Sequence, residues 1–290
     1  MRGIDRLKRY FSALKGVCHF AIPRSDYLIA GPYVGEFGYE CMEWQSFVNA
    51  QVGRFRKVYV ISYPGRNALY PECELIPHEY SLATAGYGYG SMQLQQSLKI
   101  ARDTARNLGL SSCKFLLPTA LSQPFTRKRF PQRWIAFGEQ AVIRHDIAFH
   151  FRNIIKEGPD RRINFPLLSA DNLTKMCQEA GMKCVAIGHP EQSYCPPFCV
   201  DCRSLDLQRT IDAIGSVRFV AGQLSGPMHL ASLCKKDIIT WADGANRIAM
   251  AKQWNPHGMR IHVITDSAFD PDPLFVFKYL ERVVFGGPKE

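Results

Sequence analysis

The sequence predicts an α/β protein made of two parallel-sheet halves. Three observations carry this expectation. Short runs of β-branched and aromatic residues alternate with longer amphipathic stretches, the pattern of βαβ units and parallel sheets. The alternation runs twice, and a basic stretch broken by prolines, Gln123 to Arg133, separates the two series. The chain of 290 residues also has room for two domains of ordinary size.

In the first half, Tyr27 to Ala30 reads as a strand closed by Gly31-Pro32. Gly35-Glu36-Phe37-Gly38-Tyr39-Glu40 follows and runs into a helix through about Val52. Lys57 to Ser62 (KVYVIS) is a strand ended by Tyr63-Pro64-Gly65, and Glu74 to Pro77 is a third. Tyr80 to Gly90, rich in glycine and tyrosine, is too long to be mere connection and reads as a mobile or ligand-facing loop. A helix over Gln93 to Leu108 stops at Gly109, and Lys114 to Leu117 adds a strand. Ahead of all this, Ile4, Leu7, Phe11 and Leu14 recur at helical steps among basic residues. Residues 1–16 are therefore a basic amphipathic helix, with two readings open: it lies on an anionic bilayer, or its apolar stripe packs on the neighbouring domain.

The second half opens with Ile147 to Phe151, a strand leading into Arg152-Asn153 and a loop that holds Arg161, Arg162 and Asn164. A helix over about Ala170 to Ala180 ends at Gly181, and strand Cys184 to Ile187 leads into Gly188-His189-Pro190. A helix near Asp206 to Ile214 precedes Val217 to Ala231 (VRFVAGQLSGPMHLA). Strands at Asp237 to Thr240 and Arg260 to Ile264 follow, then a last helix from about Pro273 to Val283.

Val217 to Ala231 is the stretch with the clearest chemical meaning. It reads as a buried strand, a polar turn and a helix whose first turn holds Pro227, where no backbone N–H is needed. Such a junction aims free N–H groups and the positive end of a helix dipole at one spot, which suits a phosphate or diphosphate. Gly226 admits a ligand close to the backbone, Ser225 adds a hydroxyl, and His229 lies half a turn inside the helix. An ordinary β–α junction with a core histidine is the competing reading. Two more strand ends in this half gather polar groups, Arg152 with Asn153 and Gly188 with His189, and arginine grips diphosphate through paired hydrogen bonds. Open parallel sheets bind ligands at such carboxyl ends.

Ser225-Gly226-Pro227-Met228-His229-Leu230-Ala231 resembles the DSGPMHLA segment of the heptosyltransferase-type glycosyltransferases, glycosyltransferase family 9, a GT-B group. Leu224 stands where that family usually has aspartate. The preceding Leu205-Asp206-Leu207, Thr210, Ile211, Ile214 and Gly215 fit the same group, and the match covers roughly residues 184 to 242. The resemblance implies two Rossmann-like domains facing across a cleft: an acceptor-side domain over 1–140, a nucleotide-sugar domain over 141–266, and a terminal helix, 267–290, that returns to the first domain. It implies transfer of a hexosyl or heptosyl group from a nucleoside-diphosphate-sugar to a glycan or glycolipid. The donor is held by Arg152, Asn153, Arg162, Gly188, His189, Ser225, Gly226, Pro227 and His229. The family carries a glycine-acidic pair after its opening strand whose aspartate is the base. Gly35 and Gly38 then shape the acceptor loop, Tyr39 falls on the aspartate position, and Glu36 or Glu40 serves as base, with Glu36 favoured because glycines flank it on both sides. Protein cations and dipoles hold the leaving group, so no cofactor or metal is expected. Asp270-Pro271-Asp272 has metal-site spacing but precedes a helix and reads as its cap.

Composition narrows the alternatives. Hydrophobic residues at 46% and charged residues at 21% exclude a disordered chain. A formal charge of +10 favours an anionic partner: nucleotide, nucleic acid, acidic glycan or anionic membrane face. Nucleic acid is set aside, because the basic residues are spread out and no binding motif is present. No apolar run approaches the roughly 20 residues that span a bilayer, and no secretory leader is evident. The 10 cysteines are scattered through a chain large enough to fold without disulfides, pointing to a reducing, cytoplasmic setting with peripheral membrane contact through residues 1–16 as an option. Cys195, Cys199 and Cys202 have the C-x3-C-x2-C spacing of cluster-binding radical enzymes and, with Cys184 or His189, a zinc-like set; a disulfide or buried thiols is the default reading. Two functions therefore stand beside the transferase: a non-catalytic binder of nucleotide-sugar or carbohydrate, and a Cys-ligated metal or iron–sulfur enzyme.

Overall fold

The computed structural model describes residues 25–80, 94–118, 132–137, 142–154, 164–242, 252–265 and 270–285. Residues 1–16, nearly all of the loop from Tyr80 to Gly90, and Arg161 and Arg162 lie outside the described residues. The chain divides into two compact units, Met1–Ile135 and Ala136–Glu290. Both are α/β, as the alternation predicts.

The first unit holds a parallel sheet of four strands in the order β3-β2-β1-β4, from β1 (Tyr27–Ala30), β2 (Lys57–Ser62), β3 (Glu74–Pro77) and β4 (Cys113–Leu116). Ile29, Tyr59 and Ile61 share one face and pack with Ala101 and Ala105 of helix α2 (Leu94–Asn107). The two-residue repeat of the strands sends Leu28, Val58 and Val60 to the opposite face, and all are buried. Between β1 and β2 runs helix α1 in three consecutive segments, Phe37–Tyr39, Glu40–Trp44 and Gln45–Asn49. The middle segment is π-helical, a form often met at functional sites.

The second unit is built on β5 (His145–Arg152), β6 (Cys184–Ala186), β7 (Ser193–Tyr194), β8 (Val200–Asp201), β9 (Val217–Gln223), β10 (Asp237–Trp241) and β11 (Ile261–Ile264). Six strands run parallel in the order β11-β10-β9-β5-β6-β8, and β7 pairs antiparallel with the end of β5. The helices are α3 (Leu167–Glu179), α4 (Leu207–Gly215), α5 (Gly226–Leu233) and α6 (Pro273–Phe285). Asp206 caps α4 through Gln208 N–H at 2.9 Å, and Asp272 accepts from Leu274 N–H at 3.0 Å at the start of α6, the capping role expected of the Asp-Pro-Asp run.

The core of this unit joins Ile147, Phe149 and Phe151 of β5 to Leu173 and Cys177 of α3 and to Val276 and Leu280 of α6. The terminal helix, expected from the resemblance to return to the first domain, thus buries its apolar stripe on α3 within the second unit. Leu280→Ala should lower the stability of this unit by about 2–5 kcal/mol. Urea unfolding followed by tryptophan fluorescence measures it, since Trp241 lies in the same core; an unchanged midpoint would mean that α6 does not seal it.

Candidate functional site

In an open parallel sheet, ligands bind outside the carboxyl ends of the strands where the chain order reverses. In the second unit that point lies at β5, which has β6 on one side and β9 on the other. The ends of β5 and β9 carry His150 to Arg152 and Gln223 to Pro227. Register pairs His150 with Gly222, so the two ends finish side by side. Gly222 is required by this approach: a Cβ there would stand 2.4 Å from the His150 carbonyl oxygen.

Ser225 is the N-cap of α5 in extended conformation, and Pro227 occupies the first turn as the sequence predicts. Ser225, Gly226 and Pro227 are partly exposed. The Ser225 carbonyl accepts from Met228 N–H and His229 N–H, but its hydroxyl makes no cap bond. That hydroxyl meets His150 Nδ1 at 2.9 Å. His150 is buried, and burial with the nearby Arg152 charge pulls its pKa down to about 3. Gln223, fully buried, accepts from Arg152 N–H through Oε1 at 3.1 Å, and its Nε2 has no partner among the described residues.

The other predicted donor residues that the structure describes lie at the end of β5, on the turn after β6 and within α5. Arg152 ends β5 and is half-buried; Asn153 is exposed, with its N–H on the Gln192 carbonyl. Gly188 lies just past the end of β6 with φ at +120°, and a Cβ on it would stand 2.8 Å from both His150 Cδ2 and Ser193 Oγ. His189 belongs to the same turn; its carbonyl accepts from Ser193 Oγ at 2.7 Å and its Nδ1 from Glu191 N–H at 3.2 Å. His229 is buried and edge-on to Trp254, 4.6 Å between ring centres. Burial alone pulls its pKa down to about 3, so at neutral pH it contributes no cation to the turn. Leu224, at the family's aspartate position, packs with Ala242 and Ile261. Asn164 clamps Ile154 through two hydrogen bonds at the base of its loop, and Arg162 lies outside the described residues. Sequence reading missed His150 and Gln223; both sit at strand ends, the one signal that marks them.

In the first unit the loop after β1 separates the two candidate bases. Glu36 is exposed, and Tyr33 Oη donates to its backbone carbonyl at 2.7 Å. Gly35 is buried beside it, and Gly38 is helical within the first segment of α1. Glu40 is wholly buried inside α1 rather than at a helix start. Its Oε1 accepts from Ser62 Oγ and, at 2.9 Å, from Tyr70 Oη. Its Oε2 stands 3.6 Å from Arg66 Nε, too far for a hydrogen bond, and Arg66 lies over the Phe37 ring at 4.0 Å. Burial raises the Glu40 pKa, while Arg66, Ser62 and Tyr70 pull against the rise.

Cys195, Cys199 and Cys202 lie on the β7–β8 segment and are free thiols. Cys195 Sγ points to the carbonyls of Pro196 and Cys199, at 3.6 and 3.9 Å, and Cys199 packs against the core that contains Cys177 and Cys184. Among the described residues no group of three or more His, Cys, Asp or Glu is placed to hold a metal ion, so the zinc-like set is not assembled there.

The neutral imidazoles give stability a pH dependence of definite sign. Both are depressed from 6.5 to about 3, so below about pH 6.5 the unfolded chain binds protons that the folded chain refuses. Their contribution is complete above that pH and declines as pH falls toward 3, by up to about 1.4 kcal/mol per unit for each. His229→Gln should flatten the decline between neutral pH and about 4.5; urea midpoints that run parallel to the wild type would show that His229 titrates like a free imidazole.

No family model and no curated protein matches this chain. Solved structures do. E. coli ADP-heptose lipopolysaccharide heptosyltransferase II aligns with a TM-score of 0.54 at 15% identity, covering 90% of this chain and 99% of its own. E. coli heptosyltransferase WaaC with ADP aligns at 0.56 and 10% identity, covering 88% and 99%. A glycosyltransferase family 9 structure from Veillonella parvula aligns at 0.50 and 12%, covering 89% and 92%. Over nearly its whole length, the chain has the two-sheet α/β fold of these glycosyltransferases.

Proposed function

We propose that the chain is a glycosyltransferase that moves a sugar from a nucleoside-diphosphate-sugar to a glycan or glycolipid acceptor. The observation that carries the reading is the convergence, at the switch point of the second sheet, of the α5 N-terminus, the Ser225 hydroxyl and Arg152. Backbone amides, a helix dipole and a guanidinium suit the charge that grows on a departing nucleoside diphosphate. The WaaC structure of the same fold was solved with ADP, which supports a nucleotide ligand for this chain. The chemistry asks for no metal, since protein dipoles and cations take up the leaving charge.

In this reading a carboxylate takes the acceptor hydroxyl proton as the oxygen attacks the anomeric carbon and the bond to the diphosphate breaks. Glu36 is the proposed base. Its side chain is exposed, while Tyr33 fixes its backbone. Glu40, with no exposed surface, supports α1 from inside through Ser62 and Tyr70. That burial removes one of the two candidate bases from reach of substrate and keeps a second reading in play: a relative that binds nucleotide-sugar without turning it over. The basic residues 1–16 fit an acceptor presented at an anionic membrane face on the cytoplasmic side.

A panel of nucleotide-sugars, scored for thermal shift, donor hydrolysis and transfer, separates the two readings; a shift without hydrolysis or transfer favours the silent binder. Arg152→Ala should weaken nucleoside-diphosphate binding by about 1.5–3 kcal/mol in calorimetry, and unchanged affinity would remove Arg152 from the site. Glu36→Gln should leave donor affinity intact and cut transfer by roughly 10²-fold or more; full activity would move the base elsewhere.

A further inference from the structure

The imidazole of His150 has no part in the scheme above, yet the carboxyl end of the second sheet is shaped around it. The alternation of β5 sends Phe149 and Phe151 into the core with α3 and α6, and His150 to the other face. Two glycines clear the space it fills. A Cβ at Gly188 would stand 2.8 Å from the ring, and one at Gly222 would strike the His150 carbonyl. The ring is buried, and its Nδ1 reaches the Ser225 hydroxyl at 2.9 Å. Ser225 is an N-cap serine, a position whose hydroxyl ordinarily accepts from the helix's own amides, and here it makes no such bond.

A serine hydroxyl that serves a phosphate must donate its proton to a phosphate oxygen. It can then only accept from the imidazole, so the proton of the neutral ring must sit on Nδ1. A second feature points to an arriving acceptor. Gln223, two residues before Ser225 and without exposed surface, leaves its Nε2 donor unpartnered among the described residues. Resting on the diphosphate reading, we propose that His150 is a positioning residue of the donor site: its Nδ1–H donates to Ser225 Oγ and turns the hydroxyl proton toward the donor's phosphate oxygens.

The test is a double-mutant cycle read by calorimetry, with inorganic pyrophosphate and a set of nucleoside diphosphates as probes. His150→Phe and Ser225→Ala should each weaken binding by about tenfold or more, the scale of one hydrogen bond to a charged group. The double variant should bind no worse than Ser225→Ala, because the two side chains act as one. His150→Asn, whose amide N–H can stand where Nδ1–H stood, should keep affinity within about threefold of the wild type. It should also melt with His150→Phe, so that the difference between them reads hydrogen bonding rather than folding. Additive losses, or equal losses in the Asn and Phe variants, overturn the role of His150 and leave the donor site standing. A wild type that binds none of the probes overturns the donor site itself, and this inference with it. Long-range proton–nitrogen spectra of the wild type give a check that does not rest on affinity: a His150 ring protonated on Nε2, with Nδ1 bare while pyrophosphate is bound, also overturns it.

Discussion

The meeting of β5 and β9 at their carboxyl ends is the constraint on which the second unit depends. Gly222 carries no side chain, and a Cβ on it would stand 2.4 Å from the His150 carbonyl oxygen. The strands pair as far as His150 and Gly222, and the residues that follow bring the Arg152 N–H to Gln223 and the Ser225 hydroxyl to His150. Small separations decide such a site, because a hydrogen bond weakens steeply past its normal length. The polar groups are placed by backbone and by buried partners, while Ser225 to Pro227, Arg152, Asn153 and His189 keep surface. The proposed anion site would then be preorganised, with little that has to move when charge arrives.

Charge within the unit is distributed by burial as much as by residue type. His150 and His229 stay neutral because desolvation outweighs any gain from protonation. The Arg152 charge, at the strand end, is one reason that His150 stays uncharged. The first unit shows the converse. Glu40 is enclosed by Ser62, Tyr70 and Arg66, and its burial favours the protonated carboxyl against those partners. A buried acid with half-made contacts is costly, and it sits in the π-helical segment of α1, four residues after the exposed Glu36.

Two residues show how a motif's letters differ from its physics. Leu224 stands where the DSGPMHLA segment that this stretch resembles has aspartate, and in the structure it fills a small apolar cluster with Ala242 and Ile261. His229 matches that segment letter for letter, yet it lies against Trp254 as an uncharged core group. The cysteine-rich segment is similar: its spacing suggests a metal, but Cys199 joins the core while Cys195 turns to backbone carbonyls. Spacing along the chain constrains which side chains can meet. It does not decide which way each one points.

The sequence by itself determined the class of the fold, nearly all strands and helices, and the Ser225-Gly226-Pro227 turn. Those follow from hydrophobic period, capping residues and the fixed geometry of proline, all local properties. The short strands β7 and β8 escaped it, since two residues carry no period. Only tertiary structure decided that β5 lies between β6 and β9, and hence that His150 meets Ser225 and Gln223 meets the Arg152 N–H. It also decided that Glu36 is exposed and Glu40 enclosed, and that the last helix seals the second core. Strand order, burial and the partners of a buried polar atom are set by residues tens of positions away, and no local pattern records them.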